Sequence, residues 1–351
     1  MACSCGSGML RVLQNGVLGQ RGFLAGGRMA ASGVGTSAQE KPFRIDVHHH
    51  VSPPAWLTAV EKAKLDTPPM VKWSVAQSLD DMDKGGVATA IVSPTTPQLN
   101  FLHDPVTSAR IAQESNEYCR RIADDHPGRF GLFAMLPMPH VEESLKAIAY
   151  AFDTLHADGI GMMTSYGDKW LGYPDFFRVF DELNRRKAVV YTHPTLPNCC
   201  VNLVAGVPEV AVEYGADTTR SITNLIYTGA SGRWPDISFI FSHGGGVLTA
   251  VAERLLVQMP ARPPYLGKIT PTQVANELNR FFYDTAQLAN AVTIDALAKL
   301  VPMSQIVFGS DFPYRTSAEH VQSLAKHFSG ENLRAIGREN AARILPAVKA
   351  M

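Results

Sequence analysis

The sequence predicts an α/β protein of the (β/α)8 class, a TIM barrel. Three observations support this prediction. Short apolar runs alternate with longer helical patterns from Lys41 onward, which is typical of parallel βαβ units. The runs number eight, and eight βαβ units close into a barrel. Several runs end in His or Asp, at the end of the barrel where active sites lie.

The eight predicted strands share a mainly apolar composition. They cover residues 43–48, 87–92, 130–136, 159–164, 188–193, 237–243, 281–284 and 305–311. Helical patterns fill the intervals, for example at residues 106–124, 141–155 and 174–186. The chain shows no internal repeat and no low-complexity linker, so we expect residues 41–351 to form one barrel domain.

Residues 1–40 differ from the rest of the chain. They carry Arg11, Arg21 and Arg28, no acidic residue before Glu40, and many Gly, Ala and Ser. Such a segment is typical of an organellar transit peptide, of an unstructured extension, or of a start codon placed too early. The sequence therefore predicts a cytoplasmic protein, or a mitochondrial one if this segment is a transit peptide.

Charge and cysteine content narrow the range of partners. The 351 residues include 32 Lys+Arg and 32 Asp+Glu, a net charge of zero. The chain therefore lacks the excess positive charge that binding to nucleic acids or anionic membranes needs. Residues 188–208 are uncharged but contain a histidine, two asparagines and three prolines, which disfavours a membrane span. The five irregularly spaced cysteines indicate a reducing compartment rather than a disulfide framework.

The ends of four predicted strands carry side chains that can bind a metal or move a proton. In a strand, residues i and i+2 share a face, so His48 and His50 point together and His49 points away. Two imidazoles one strand step apart can bind a single divalent metal. The other three strand ends carry His193, His243 and Asp311. Each follows a nearly apolar run, where a polar side chain is costly unless it is paired or used.

Two further acids and a glycine run accompany these residues. Asp46 shares the face of His48, so we expect it to orient a ligand imidazole. Asp284 ends the weak seventh strand and is expected either to accept a hydrogen bond from a ligand or to cap its loop. Residues 244–246 are all glycine, which permits close backbone approach or a conformation that a Cβ forbids. A phosphate loop is disfavoured, because neither G-x-G-x-x-G nor a following Lys-Ser/Thr is present.

At these residues the sequence resembles the amidohydrolase superfamily, and within it the branch of the aminocarboxymuconate-semialdehyde decarboxylases. The resemblance spans about residues 44–345, and the ordered set of motifs is far more specific than any one of them. The motifs are IDVHHH at 45–50, THP at 192–194, SHGGG at 242–246, FGSDFPY at 308–314 and RENAARIL at 338–345. Residues 166–169 and 182–190 are most similar to the 6-methylsalicylate decarboxylases.

The resemblance implies a bound metal and an acid/base group beside it. It implies His48, His50, His193 and Asp311 as ligands of one zinc-type ion, and Mn²⁺ or Co²⁺ also suits such ligands. It implies that His243 handles protons and is not a ligand. Asp311 and His243 are both candidates for the catalytic proton donor.

Two departures from the superfamily pattern shape the expected site. Two-metal members carry a carboxylated lysine after strand four, where this chain has residues 162–164, Met-Met-Thr, so we expect one ion. The aminocarboxymuconate enzymes use an arginine after strand one, and none occurs between Arg44 and Arg110, which favours a substrate with one carboxylate. Arg254, eleven residues past His243, matches the arginine that binds substrate carboxylate from the neighbouring subunit. The resemblance thus implies a homodimer.

The implied activity is a metal-dependent, non-oxidative decarboxylase (a carboxy-lyase) of a small ortho-hydroxy aromatic carboxylate, such as 6-methylsalicylate. Direct loss of CO₂ leaves a carbanion that the ring cannot delocalise, whereas prior protonation of the ring carbon avoids it. Phe312, Tyr314 and Trp170 are expected either to contact the substrate or to pack the barrel. One alternative is a lactone or amide hydrolase with the same ligands, which release of CO₂ distinguishes. Another is a binding protein without catalysis, which the intact ligand set disfavours.

Overall fold

The computed structural model describes residues 42–288, 290–345 and 348, so the predicted extension at residues 1–40 lies outside the described residues. Ten strands are present in this part of the chain. They are β1 (Arg44–Val51), β2 (Val87–Pro94), β3 (Phe130–Met135), β4 (Gly159–Met163), β5 (Ser165–Tyr166), β6 (Lys169–Trp170), β7 (Val189–His193), β8 (Ser238–Phe241), β9 (Phe282–Asp284) and β10 (Ile306–Val307).

Eight of these strands form the predicted barrel. Their order is β1-β2-β3-β4-β7-β8-β9-β10, and each neighbouring pair is parallel. Strands β5 and β6 form a separate antiparallel pair after β4. Because all eight parallel strands run the same way, their carboxyl ends meet on one face, and this is where the predicted site residues stand.

The barrel closes through the segment that follows β10. The Asp311 N–H donates to the His48 carbonyl at 2.9 Å, and the His50 N–H donates to the Phe312 carbonyl at 2.7 Å. Regular pairing covers only two residues of β10, whereas the sequence predicts residues 305–311. The strand ends early because the next two N–H groups donate outside the ladder, Phe308 to the Ile336 carbonyl and Gly309 to the Thr285 hydroxyl, and the chain then turns at Asp311, whose φ of 63° is left-handed.

Helices lie between successive strands, and several begin with side-chain caps. Thr270 and Thr316 each form a reciprocal cap with the residue three positions on, which satisfies free N–H groups of the first turn. The helices are α1 (Pro54–Lys62), α2 (Pro68–Lys72), α3 (Val75–Gly85), α4 (Pro105–Asp125), α5 (Val141–Asp153), α6 (Phe177–Arg185), α7 (Glu213–Tyr227), α8 (Ala230–Arg233), α9 (Leu248–Glu253), α10 (Pro271–Arg280), α11 (Ala291–Leu300), α12 (Ser317–His327), α13 (Gly330–Arg334) and α14 (Asn340–Ile344).

Shorter helical turns complete the connections. Two π-helical turns, Arg254–Gln258 and Ala335–Glu339, continue α9 and α13. The 3-10 turns are Pro174–Phe176, Asn198–Cys200, Glu209–Ala211, His243–Gly245 and Met303–Gln305. Among the helices of the described ranges, none has the length and apolar character needed to cross a membrane.

Apolar side chains fill the barrel beneath the site. The rings of Phe133 on β3 and Tyr191 on β7 stack at 5.4 Å between centroids, and Ile240 on β8 packs in the same cluster. The Tyr191 ring in turn lies 5.3 Å from that of His48. The barrel interior is therefore a packed core rather than a pore, and the polar residues at its carboxyl end pack directly on this apolar core.

Candidate active site

The predicted strand-end residues meet at the carboxyl end of the barrel. One donor atom from each of His48, His193, His243 and Asp311 lies within 4.8 Å of the others. His50 also belongs to this cluster, because its Nε2 lies 3.0 Å from Nε2 of His48 and 3.3 Å from Oδ1 of Asp311. His243 is half-buried and the other four are buried. The tertiary structure therefore brings together all five residues that the sequence singled out.

Hydrogen bonds fix the tautomer of three of these histidines. Each ring uses Nδ1 toward a partner that can only accept: His48 toward Asp284 at 2.8 Å, His50 toward the Ser93 carbonyl at 3.3 Å, and His193 toward the Pro194 carbonyl at 2.9 Å. Nδ1 therefore carries the hydrogen in each ring, and Nε2 presents a lone pair when the ring is neutral. A carboxylate or carbonyl behind a ligand imidazole is the usual arrangement at metal sites.

Three of the resulting acceptors face one another. Nε2 of His48 lies 3.0 Å from Nε2 of His50 and 3.1 Å from Oδ1 of Asp311. Lone pairs this close repel, so the arrangement is stable only with a proton or a cation among them. Two imidazole nitrogens and a carboxylate oxygen suit Zn²⁺, Mn²⁺ or Co²⁺. The residues present therefore fit a single divalent ion.

The pKa values of the three buried histidines also indicate that the cluster holds one positive charge. Burial lowers the pKa of His48, but the carboxylates of Asp284 and Asp311 outweigh it and raise that pKa to about 10. Burial lowers the pKa of His50. Burial and the neighbouring imidazoles lower the pKa of His193 well below its ordinary value. In the absence of a metal, His48 is thus the group of the three that takes up a proton.

Asp311 remains ionised in this setting. Burial by itself raises the pKa of its carboxyl group, but the charge of His48 and the adjacent imidazoles of His243, His48 and His50 hold that pKa well below its ordinary value. An ionised carboxylate is the form that binds a metal.

His243 occupies a special backbone position at the edge of the cluster. Its φ of 53° is left-handed, and its N–H donates to Oδ1 of Asp284 at 2.8 Å. Gly244, Gly245 and Gly246 also have positive φ, and a Cβ on Gly246 would collide with the carbonyl oxygen of Gly215. The glycine run is thus required by backbone conformation and close approach, as predicted from the sequence.

The imidazole of His243 has a buried nitrogen that the described residues leave without a hydrogen-bond partner. Its Nε2 lies 3.5 Å from Oδ2 of Asp311 and has no hydrogen-bond partner among the described residues. Its side chain is 14% exposed, whereas that of His48 is 0% exposed. The ring is therefore more exposed than that of His48, although its Nε2 is itself buried, and an unpartnered nitrogen of this kind can exchange a proton with a bound substrate.

The two accessory acids differ in what they contact. Asp284 does both things expected of it, because it accepts from Nδ1 of His48 and also from the N–H of Ala286 at 3.0 Å in its own turn. Asp46 contacts Nδ1 of His49 at 3.2 Å and the hydroxyl of Ser310 at 2.5 Å, not a ring of the cluster. The expectation that Asp46 orients a ligand imidazole is therefore not met: a register shift in β1 between Asp46 and His49 interrupts the regular alternation, and Asp46 orients His49 instead.

Two of the predicted aromatic residues, Phe312 and Tyr314, contact histidines of β1. Phe312 stacks on His49 with ring centroids 4.7 Å apart, so it packs β1 against the closing segment. Tyr314 lies edge-on to His50 at 6.1 Å, and its hydroxyl lies 3.4 Å from that of Thr67. Tyr314 thus borders the cluster, whereas Phe312 packs against the ring that points away from it.

Trp170 and Arg254 lie on other elements. Trp170, on β6, donates from Nε1 to the buried carboxylate of Asp217 on α7 at 2.7 Å, which joins the β5–β6 pair to that helix. Arg254 begins the π-helical turn after α9 and is exposed. Within the described ranges its side chain makes no hydrogen bond or ion pair. Neither residue contacts the histidine cluster.

Two residues of the site were not anticipated. Gln287 donates from Nε2 to Oδ2 of Asp311 at 2.6 Å. The Tyr214 hydroxyl bonds to Thr96, and burial together with the nearby Tyr314 and Asp311 raises the pKa of Tyr214. Gln287 could have been suspected, since it follows Asp284 by three residues. No motif marks Tyr214, which is the second residue of α7, a helix with an ordinary amphipathic pattern.

A known family and several known proteins are similar to this chain in sequence. A family described as Amidohydrolase matches residues 45–347. A protein named Decarboxylase yanB from Aspergillus niger is 35% identical over 324 residues, covering 86% of this chain and 87% of that protein. The 6-methylsalicylic acid decarboxylase acuB from Aspergillus aculeatus is 33% identical over 328 residues, covering 87% of this chain and 97% of that protein.

A solved structure shares the barrel. It is a dihydroxybenzoic acid decarboxylase from Polaromonas sp. JS666 with bound manganese and the inhibitor 2-nitroresorcinol. It has a TM-score of 0.76 at 17% identity and covers 87% of this chain and 97% of that chain. The predicted TIM barrel and the predicted resemblance are both confirmed. With a family match across most of its length and a strand-end cluster of histidines and aspartate, the chain belongs to the amidohydrolase family.

Proposed function

We propose that this chain is a metal-dependent, non-oxidative decarboxylase of a small ortho-hydroxy aromatic carboxylate, with 6-methylsalicylate as the first substrate to test. The observation that carries the proposal is the meeting of three acceptors, Nε2 of His48, Nε2 of His50 and Oδ1 of Asp311, beside the partly exposed ring of His243. The names of the two Aspergillus relatives support decarboxylation as the reaction.

We infer one divalent ion per chain, held by His48, His50, His193 and Asp311. Zinc is our first choice, and the manganese in the Polaromonas structure supports a divalent metal in general. When bound, the ion supplies a Lewis acid and a template for the adjacent oxygens of an ortho-hydroxy carboxylate.

We favour His243 over Asp311 as the proton donor. The pKa of Asp311 is held well below its ordinary value, so this carboxylate is a poor acid at neutral pH. Nε2 of His243 has no hydrogen-bond partner in the described region, and the side chain is 14% exposed. We therefore assign His243 to carry the proton that reaches the ring carbon before CO₂ leaves. We infer that Tyr214 and Tyr314 border the bound ring.

We infer a homodimer in which Arg254 reaches the partner's site. Arg254 is exposed and lacks a partner in the described ranges. The segment that precedes α7 is also unusually apolar on its outside: its exposed side chains are Val201, Leu203, Val204, Val207, Val210 and Val212. Exposed apolar patches of this kind are typical of interaction surfaces. A guanidinium then suits the substrate carboxylate through paired hydrogen bonds.

The test is decarboxylation by the purified chain together with its metal content. We expect one divalent ion per chain, and CO₂ and a phenol from 6-methylsalicylate and salicylate. The meta- and para-hydroxybenzoates should react far more slowly, because their hydroxyl and carboxylate cannot share one ion. Equal rates on all three isomers contradict the ortho requirement. Hydrolysis of a lactone or amide without release of CO₂ favours a hydrolase instead.

A further inference from the structure

The carboxylate of Asp311 is divided between two sets of partners. Oδ1 lies 3.1 Å from Nε2 of His48 and 3.3 Å from Nε2 of His50. Oδ2 instead accepts from Nε2 of Gln287 at 2.6 Å and lies 3.5 Å from Nε2 of His243. The two oxygens face different parts of the site, so a rotation of this carboxylate changes which groups it serves.

We propose that Gln287 is a positioning residue: its side-chain amide holds Oδ2 of Asp311 and thereby keeps Oδ1 turned toward the imidazoles of β1. The inference rests on the proposed metal site and deepens it by naming what orients the carboxylate ligand. Hydrogen bonds to an ionised acceptor are shorter and about twice as strong as neutral ones. The bond at 2.6 Å is short for an N–H donor, as expected for such a contact.

Gln287 is itself held in place. Its φ of 62° is left-handed, a conformation that is unfavourable for a residue with a Cβ. The Gln287 N–H donates to Nε2 of His320 at 3.1 Å. His320 is 1% exposed, and its Nδ1 donates to the Thr316 carbonyl at 2.9 Å, which leaves Nε2 as the acceptor. The buried imidazole on α12 therefore fixes the backbone from which the amide reaches out.

The same turn holds other parts of the site. Asp284 begins it and accepts from Nδ1 of His48, and Gln287 follows three residues later. The Leu288 N–H donates to the Thr285 carbonyl at 3.1 Å, which closes the turn. One short segment after β9 thus orients both an imidazole and a carboxylate of the cluster. Because these bonds come from one rigid turn, the relative placement of the two groups is set together.

The position of Gln287 allows a clean test. Its side chain is exposed, so replacement leaves no buried cavity and is expected to change the stability of the metal-free fold very little. Gln287→Met keeps the length of the side chain and removes the donor. Gln287→Glu places a second carboxylate against Oδ2 of Asp311. Gln113→Met on α4 is the matched control, since Gln113 is also exposed and donates to a carboxylate, that of Glu117 at 2.9 Å.

The experiment loads each variant with zinc and measures the rate of zinc loss to excess chelator. We expect Gln287→Met to lose zinc about 10- to 100-fold faster than wild type, the usual effect of removing a partner behind a metal ligand. Gln287→Glu should lose zinc at a rate that differs from that of wild type. Gln113→Met should lose zinc at the wild-type rate. The unfolding temperature of metal-free Gln287→Met should shift by no more than about 2 °C.

Three outcomes would contradict either the positioning role of Gln287 or the proposed metal site. Wild-type retention of zinc by Gln287→Met overturns the positioning role. A large fall in the unfolding temperature of the metal-free variant assigns Gln287 to the fold and likewise overturns it. A wild-type chain that binds no divalent ion contradicts the proposed function, and with it the need to orient Asp311.

Discussion

Oδ2 of Asp284 accepts a hydrogen bond from Nδ1 of His48 at 2.8 Å, and both side chains are 0% exposed. The same carboxylate accepts from the N–H of His243 through its other oxygen. A single acid at the end of β9 therefore sets the tautomer of one site histidine and the backbone position of another.

Replacing this acid tests its contribution to metal binding. Asp284→Asn keeps the shape but removes the charge behind His48, so the ring becomes a weaker ligand. We expect zinc affinity to fall about 10- to 100-fold, measured by competition with a chromogenic chelator. Asp295→Asn is the control, because Asp295 faces His327 at 3.4 Å on the surface. Unchanged affinity in Asp284→Asn shows that the pair serves only the fold.

The geometry allows either His50 or His243 to be the third imidazole ligand, beside His48 and His193. Nε2 of His50 faces His48 and Asp311, whereas a group of four donor atoms within 4.8 Å of one another includes His243 instead. We expect His50→Ala to lose metal, and His243→Ala to keep it while turnover falls about 10²- to 10⁴-fold. Elemental analysis and CO₂ release on both variants check this. Loss of metal from His243→Ala with full metal in His50→Ala makes His243 the ligand.

The stability of the metal-free protein should depend on pH in both directions. The pKa of His48 is raised from 6.5 to about 10 on folding, so its contribution is fully present below pH 6.5 and is lost as the pH rises to 10. The pKa of His193 is lowered, so its contribution is lost as the pH falls below 6.5.

We therefore expect the unfolding temperature of the metal-free protein to be highest near pH 6.5. Thermal melts in chelator from pH 5 to pH 10 measure it. The alkaline decline should disappear in His48→Asn, since this variant has no imidazole to lose its proton. A wild-type unfolding temperature that rises between pH 7 and pH 9 contradicts the proton held on His48.

The inferred dimer predicts complementation between inactive chains. Arg254→Ala and Asp311→Ala are each expected to be inactive, the first through substrate binding and the second through the metal. If Arg254 serves the partner's site, a mixed dimer has one site with both lesions and one site with neither. Random exchange of subunits then restores roughly a quarter of wild-type activity. No recovery after confirmed exchange means that Arg254 serves its own site or none.

The sequence by itself determined the barrel and the main site residues. Alternating strand and helix patterns predict eight parallel units, and strand parity separates His48 and His50 from His49, because successive side chains point to opposite faces. The positions of His193, His243 and Asp311 after apolar runs place them at the same end of the barrel. These are short-range properties of the chain, so they can be read from spacing alone.

Only the tertiary structure decided which groups face each other across strands. Asp284 meets His48 over 236 residues of chain, and Asp46 turns to His49 and Ser310 instead of a cluster imidazole. Gln287 reaches Asp311 because the turn after β9 and the chain after β10 both adopt left-handed φ. Such contacts depend on barrel closure and on backbone conformations that no local pattern encodes. The direction of each Nε2 lone pair, and so the preference for a cation, follows from these long-range hydrogen bonds.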